Sequence, residues 1–449
     1  VTGTGRWRFA AGMGLLLGVL ASGMACVAGS HGAPQTPAGS YPREVAQVNF
    51  AVAGDVIPHE AVRAAASAAG PGEQGWAALL GDVADVFHRA DFGFVNMETP
   101  VAPTHSHGTK PFMFDAPVDL ILALKSIGIK VVSFANNHVF DQGQAGFAET
   151  REHLRESGML FAGSGDSAPA AWQPVIVEKS GIKVGILGMT RWLNGNRNPG
   201  DEAQPHVNFF PYPEDSGGAV GYSADQVLDA VKQARAKCDF LVISIHWGVE
   251  YMPAPRDVDV AMAHKMLDAG ATVIVGHHPH VLQPVQTYRT ADGRDGLIFF
   301  SLGNFLSNQS RDYREGSMPE KEGDPRDSMI GLFSAVQKDY GPAGTKVELG
   351  NVGILPVWGE NNHNELAAGK AKKPVIGPIL IDREIPRLEA RLVALDKANI
   401  PATSWTAAQK TEFADATGRL KLMQDRRAQI VARTNSKFIA EAPALPVGH

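Results

Sequence analysis

"VIVGHHPHVLQPV", residues 273–285, runs from β-branched apolar residues straight into Gly276, His277, His278, Pro279 and His280. The first half reads as a buried strand, and the second as a turn of unusual composition. A desolvated imidazole needs a hydrogen-bond partner, and three crowded together need a shared reason. Two readings are open here: a polar turn that happens to be rich in histidine, or neutral imidazole nitrogens aimed at one cation. The rest of the chain decides between them.

From Val48 onward, short apolar runs alternate with helical stretches. "VNFAVAG" (48–54) precedes "HEAVRAAASAAG" (59–70), "FGFVNME" (92–98) precedes "VDLILALKSIG" (118–128), and "KVVSFAN" (130–136) precedes "GQAGFAETREHLRESG" (143–158). The rhythm returns with "DFLVISIHWG" (239–248) and the helical "RDVDVAMAHKMLDAG" (256–270). Runs apolar on both faces, alternating with helices, predict an α/β fold whose sheet is covered on both sides. "QPVIVEKSGIKVGILGMT" (173–190) reads as a hairpin with Ser180-Gly181 at its turn. After Gly296 come "GLIFFSLGNF", "IGLFSAVQK" and "TKVELGNVGILPVW", strand upon strand without helices. They predict a second, mostly antiparallel sheet packed on the first.

The organisation expected is an export signal over 1–30, a linker over 31–47, one domain over 48–385 and a helical extension over 386–449. Arg6 and Arg8, the apolar run Phe9–Leu20 and the small residues after it have the order of an export signal. This implies a periplasmic, cell-surface or membrane-anchored protein. The charged, Gly/Pro-containing stretch 307–328 reads as a mobile loop within the domain. A net charge of −6 with both signs interspersed gives no footprint for nucleic acid. If the signal is removed, Cys238 alone remains and no disulfide forms within the chain.

In an open α/β sheet, ligands bind beyond the carboxyl ends of the strands. Those ends carry Asp55, then Asn96 and Glu98, then Asn136, Asn137 and His138, then His246 and Trp247, then His277, His278 and His280, then Asn304. One such residue is ordinary turn chemistry. Successive strands delivering them to one edge point to convergence on a site. Imidazoles with carboxylate and amide oxygens suit a divalent ion such as manganese, zinc or iron, whereas an all-oxygen calcium cage needs no histidine. The chain has no glycine-rich nucleotide loop and no Gly-x-Ser-x-Gly elbow.

"AVAGDV", "VNMETPV", "FANNHVFDQG", "SIHWGVEY", "GHHPHVLQPV" and "FFSLGNF" together resemble the ordered signature of the CapA family of capsule and poly-γ-glutamate synthesis proteins. That family is similar to the calcineurin-like metallophosphoesterases, and the resemblance covers about 48–310. It implies an αββα sandwich of two packed sheets flanked by helices, to which the sequence pattern adds the helical C-terminal extension. It implies Asp55, Glu98, Asn137, His246, His278 and His280 as metal ligands, with Glu98 or Asn96 in the bridging place. Asp55 and His138 become the catalytic pair, His138 assisting the leaving group. The family pattern places a histidine two residues after the first aspartate, and here Ile57 stands there, with His59 out of phase. One well-filled metal position and one weak one are therefore expected.

Asn96, Arg191, Trp247 and Asn304 are the candidates for substrate binding, with Trp192, Glu250 and Tyr251 near them. His277 is expected to support the site rather than ligate, and His105 and His107 either reach substrate from a loop or belong to a solvated one. Two functions follow. One is an exported metal-dependent hydrolase of a phosphoester or polymer linkage. The other is a non-catalytic accessory protein that binds an anionic polymer near membrane-bound capsule synthesis or export proteins.

Overall fold

The computed structural model describes residues 41–213, 220–396 and 404–442. Strands β1 (Arg43–Val56), β2 (Phe92–Met97), β3 (Ile129–Ser133) and β4 (Leu160–Ala162) pair in parallel, each followed by a helical or turn segment. The two-residue β5 (Ser164–Gly165) pairs only with β8 (His206–Val207). A hairpin of β6 (Val175–Lys179) and β7 (Ile182–Thr190) follows, with β9 (Phe240–His246), β10 (Val273–His277), β11 (Val285–Arg289) and β12 (Asp295–Phe299). Its turn is Ser180-Gly181 as expected, both at positive φ (54° and 77°), which matches the twist of a tight hairpin. Then come β13 (Asn304–Leu306), β14 (Asp327–Asp339), β15 (Thr345–Asn361) and β16 (Ile376–Leu380).

Two sheets result. The first has the order β16-β15-β14-β1-β2-β3-β4, with β13 also pairing β1, and the second has the order β11-β12-β10-β9-β7-β6. This corrects the expectation that the late strands form a sheet of their own. β14 instead runs antiparallel along β1, Phe50 opposite Phe333, and β15 and β16 extend the same sheet outward. The second sheet is built from the middle of the chain. Alternation in the sequence reports strands, and the choice of partner lies in pairings almost three hundred residues apart.

Three apolar clusters define the layers. Phe50, Val52, Phe94, Val242, Val275, Phe299 and Phe333 fill the space between the sheets. Phe87, Leu120, Leu124 and Phe147 pack helices on the outer face of the first sheet. Val227, Val231, Met262 and Met266 do so on the second. The order is helix, sheet, sheet, helix, and each fully buried large side chain in it contributes roughly 1.5–3 kcal/mol.

Three boundaries differ from the sequence reading. Arg43–Gln47, placed in a linker, is the start of β1, whose charged end is fixed by the Arg43–Asp339 pair at 2.8 Å. The C-terminal helices begin at Ile381, directly out of β16, and the second spans Ala407–Arg433. The stretch 307–328 is not a free loop. Tyr313, Asp324 and Arg326 in it are buried, and Asp324 and Asp327 both bind the fully buried Arg426 of the last helix. A charged segment looks solvated in sequence when its counter-ions sit a hundred residues away. The expected export signal lies outside the described residues. No described helix is long and apolar enough to cross a membrane.

Candidate metal centre

Register places the site. In the first sheet Asn304, Asp55, Asn96 and Ser133 lie side by side across β13, β1, β2 and β3. In the second, Thr190, His246 and His277 lie side by side across β7, β9 and β10. β13 approaches β1 closely because residue 54 is glycine: a Cβ there would stand 1.8 Å from the Gly303 carbonyl oxygen. Asp55 N donates to that same carbonyl at 3.1 Å.

The turn after β10 carries the decisive histidines in an unusual backbone. His278 has φ +96° and His280 φ +57°, a region that costs a non-glycine residue of order 1–3 kcal/mol. The conformation is held by His278 N donating to Asp55 Oδ2 at 3.3 Å. Asn304 Oδ1 lies 3.0 Å from His280 Nδ1, and Asn304 Nδ2 donates to the His280 carbonyl at 3.2 Å and to the Pro325 carbonyl at 2.9 Å. Asn304 thus aims the His280 ring.

Among the described residues, three groups of side chains bring metal-competent atoms within 4.8 Å of one another. They are Glu98 with His246 and His278; Asp55 with Glu98 and His280; and Glu250 with His278 and His280. Each pair of groups shares one residue. Asn137 joins the first group, its Oδ1 standing 2.9 Å from His246 Nε2. Every proposed ligand is therefore brought to one place. Glu98, rather than Asn96, holds the shared position. Asn96 is a brace: its Nδ2 donates to Asp55 Oδ1 at 2.8 Å and reaches Glu98 Oε2 at 3.3 Å, while its Oδ1 accepts from Asn136 at 3.2 Å.

The electrostatics fit a cation. Glu98 Oε1 is buried with no hydrogen-bond partner, 3.8 Å from His246 Nε2, 3.9 Å from His280 Nε2 and 4.0 Å from His138 Nε2. Burial, reinforced by Asp55, Glu250 and Asp141, pushes the Glu98 carboxyl well above the usual range. Burial likewise holds His246 well below the usual imidazole value and His278 down to about 3, so both present neutral rings. Burial opposes the charge of Asp55 too, yet His277 and His280 outweigh it and keep that carboxylate ionised. An orphaned carboxylate oxygen among neutral imidazoles is an arrangement that a divalent ion completes.

His138 stands beside this cluster. Its Nδ1 lies 2.8 Å from Asp141 Oδ2, which also accepts from Phe114 N at 2.7 Å, and the Phe114 ring packs on the imidazole at 4.4 Å. Asp141 sits three residues on in the same turn. That spacing is the signal by which its orienting role is readable.

Four sequence assignments change. Asn96 and Asn304, read as substrate-binding, are fully engaged braces under the ligands. Trp247 is 1% exposed, donating Nε1 to the Phe300 carbonyl at 3.0 Å and stacking on that ring. Arg191 is buried over the Tyr212 ring, Nη1 3.5 Å from Asp259 and Nε donating to the Phe210 carbonyl at 3.2 Å. A polar residue after a strand reads the same whether it faces the cleft or the core. His277 is buried beside Asp55, Nδ1 to Oδ1 3.3 Å, and belongs to none of the three groups. His105 pairs with Glu149 at 2.8 Å on the surface, where half of its side chain is exposed. Ile57 is buried, and His59 turns away to accept from Asn308 N at 3.2 Å.

Two facing sheets between helices, with carboxylate, amide and imidazole donors meeting at their shared edge, make an α/β sandwich with a candidate metal centre, consistent with the calcineurin-like resemblance. More narrowly, residues 49–309 match the family model for "Bacterial capsule synthesis protein PGA_cap". The match covers more than half of the chain, and the chain belongs to that family. It is 29% identical over 235 residues to the capsule biosynthesis protein CapA of Bacillus anthracis, covering 51% of this chain and 53% of that one. It is 29% identical over 230 residues to the PGA biosynthesis protein CapA of Bacillus subtilis (strain 168), covering 51% and 56%. The chain thus spans about half the length of the curated relatives it matches.

Proposed function

We propose that this protein is an exported, metal-dependent hydrolase acting on a phosphoester or polymer linkage during synthesis or export of an anionic capsule polymer such as poly-γ-glutamate. The observation that carries the reading is His138, whose Nε2 faces Glu98 Oε1 at 4.0 Å while Asp141 holds its Nδ1 at 2.8 Å. Asp141 fixes the proton on Nδ1, so Nε2 is the nitrogen that exchanges a proton with a bound leaving group. Glu98, Asn137, His246 and His278 would hold one cation, and Asp55 with Glu98 and His280 would hold another. A divalent ion there supplies Lewis acidity and a more acidic water. The chain's own contribution is orientation: Asn96 and Asn304 fix the ligands, and burial keeps His246 and His278 neutral and ready to bind. The relatives' roles in capsule and PGA biosynthesis support the polymer, and the basic–apolar–small order of the first thirty residues supports export.

The test is turnover by the metal-loaded protein on generic phosphoesters and on γ-glutamyl polymer, with manganese, zinc or iron supplied. His138→Ala is expected to lower turnover about a hundredfold or more while metal content stays unchanged. Absence of any wild-type hydrolysis across that panel would remove the enzyme and leave a polymer-binding accessory protein.

A further inference from the structure

We propose that Glu250 supplies the ligand that Ile57 cannot, completing a second cation position that is rich in oxygen and open to solvent. The proposal rests on the metal reading above. Glu250 is the exposed member of the group it forms with the buried His278 and His280. Through His280 it adjoins Asp55 and Glu98, whose group holds that single imidazole while Ile57 stands where the family pattern has a second.

An exposed glutamate near histidines is usually just a solvated acid. Two observations argue otherwise. His278 is 5% exposed, and its Nδ1 has no hydrogen-bond partner. The segment bearing Glu250 is also fixed to the histidine turn: Tyr251 N donates to the Pro279 carbonyl at 2.7 Å, with Tyr251 itself at φ +61°. Gln283 Nε2 then donates to the Met252 carbonyl at 2.8 Å, and Gly248 N donates to Tyr212 Oη at 2.9 Å. The carboxylate is thereby kept beside the turn.

The two positions then differ in chemistry. Glu98, Asn137, His246 and His278 form a buried, imidazole-rich set suited to zinc or iron. Asp55, Glu98 and His280, with Glu250 meeting them at His280, would form a carboxylate-rich set suited to manganese or magnesium. The family pattern's lost histidine becomes a change of metal preference rather than an empty place.

The experiment is a Mn²⁺ titration of the metal-stripped full chain, followed by electron paramagnetic resonance of the free ion and by calorimetry. Wild type is expected to bind two classes of Mn²⁺. Glu250→Gln should weaken the weaker class tenfold or more and spare the tighter one, Glu250→Asp should restore part of the loss, and Asp55→Asn should weaken the same class. Glu250 is exposed, so Glu250→Gln should melt with wild type. Two classes with Glu250→Gln indistinguishable from wild type overturn the role of Glu250 and leave the metal centre standing. A single class in wild type overturns the second position. No bound Mn²⁺ or Zn²⁺ at micromolar concentration overturns the metal centre itself.

Discussion

The two sheets meet at one edge but bring different chemistry to it. The first contributes acids and amides (Asp55, Asn96, Glu98 and Asn137), and the second contributes the imidazoles of His246, His277, His278 and His280. On the first side the groups bind one another, Asn96 touching Asp55, Glu98 and Asn136. On the second side the rings are held by backbone in the left-handed region and by partners from outside, Asn304 and Asp55. Burial acts on both sides in the same sense, towards neutrality, raising the carboxyl of Glu98 and lowering the imidazoles of His246 and His278. Only Asp55 is kept charged, because histidines from the opposite sheet surround it. A centre assembled from two unlike halves therefore reserves its missing positive charge for a ligand.

The largest expected consequence is acid lability of the metal-free protein. Unfolded histidines titrate near 6.5, whereas burial holds His59 down to about 4, His278 to about 3 and His246 well below the usual value. Between pH 6.5 and 4.5 the unfolded chain gains protons that these folded imidazoles refuse. Glu98 works the other way, since it stays protonated in the fold and is ionised in the unfolded chain above 4.5. Asp327, which burial pushes up to about 6, acts with Glu98. Three sites against two still leave the unfolded state with the greater uptake, so stability falls as pH falls, by about 1 kcal/mol per unit. Urea midpoints of chelator-treated protein at pH 7 and pH 5 measure this. A midpoint that holds or rises at pH 5 breaks the picture of a neutral imidazole half.

Next in size is Asn304→Ala. The side chain that aims His280 is lost while every ligand remains, and such supporting changes cost about ten- to a hundredfold in metal affinity. Calorimetric titration decides it, and an affinity within twofold of wild type would show that His280 needs no brace. The smallest effect sharpens the comparison from within one strand. His277→Ala, one residue from a ligand yet outside all three donor groups, should leave the bound metal per chain unchanged by elemental analysis. Loss of half an equivalent or more would make His277 a ligand after all.

Much of this was legible in the chain itself. Strand ends carrying Asp55, Glu98, Asn137, His246, His278 and His280 pointed to one edge, and they meet there. What the linear pattern could not carry was direction. Trp247 and Arg191 follow strands just as His246 does, but their side chains turn into the core and bond to Phe300 and Asp259. Asn304 looked like a contact for substrate because its partners, His280 and the Pro325 carbonyl, lie on other segments. The charged stretch 307–328 looked solvated because Arg426, which binds Asp324 and Asp327, comes a hundred residues later. Each miss concerns a side chain whose partner is remote, and local periodicity holds no information about such partners.

The pairing of β14 with β1 bears on how the molecule comes into being. β1 lies inside its sheet, with β2 on one side and β14 on the other, and the second partner ends only at Asp339. During synthesis the β2 edge can be satisfied early, whereas the other edge presents unpaired amides and carbonyls beside "FAVAG" until most of the chain has emerged. Contacts of such sequence separation form late, because the intervening loop must be closed before they repay its entropy. An open apolar edge is meanwhile a template for any neighbouring strand. The region that matches the family, 49–309, stops short of the strand that covers this edge. The Asp55 end of β1 is met by β13 within the matched region, whereas its flank from Arg43 to Val52 is paired only when sequence beyond residue 309 has arrived.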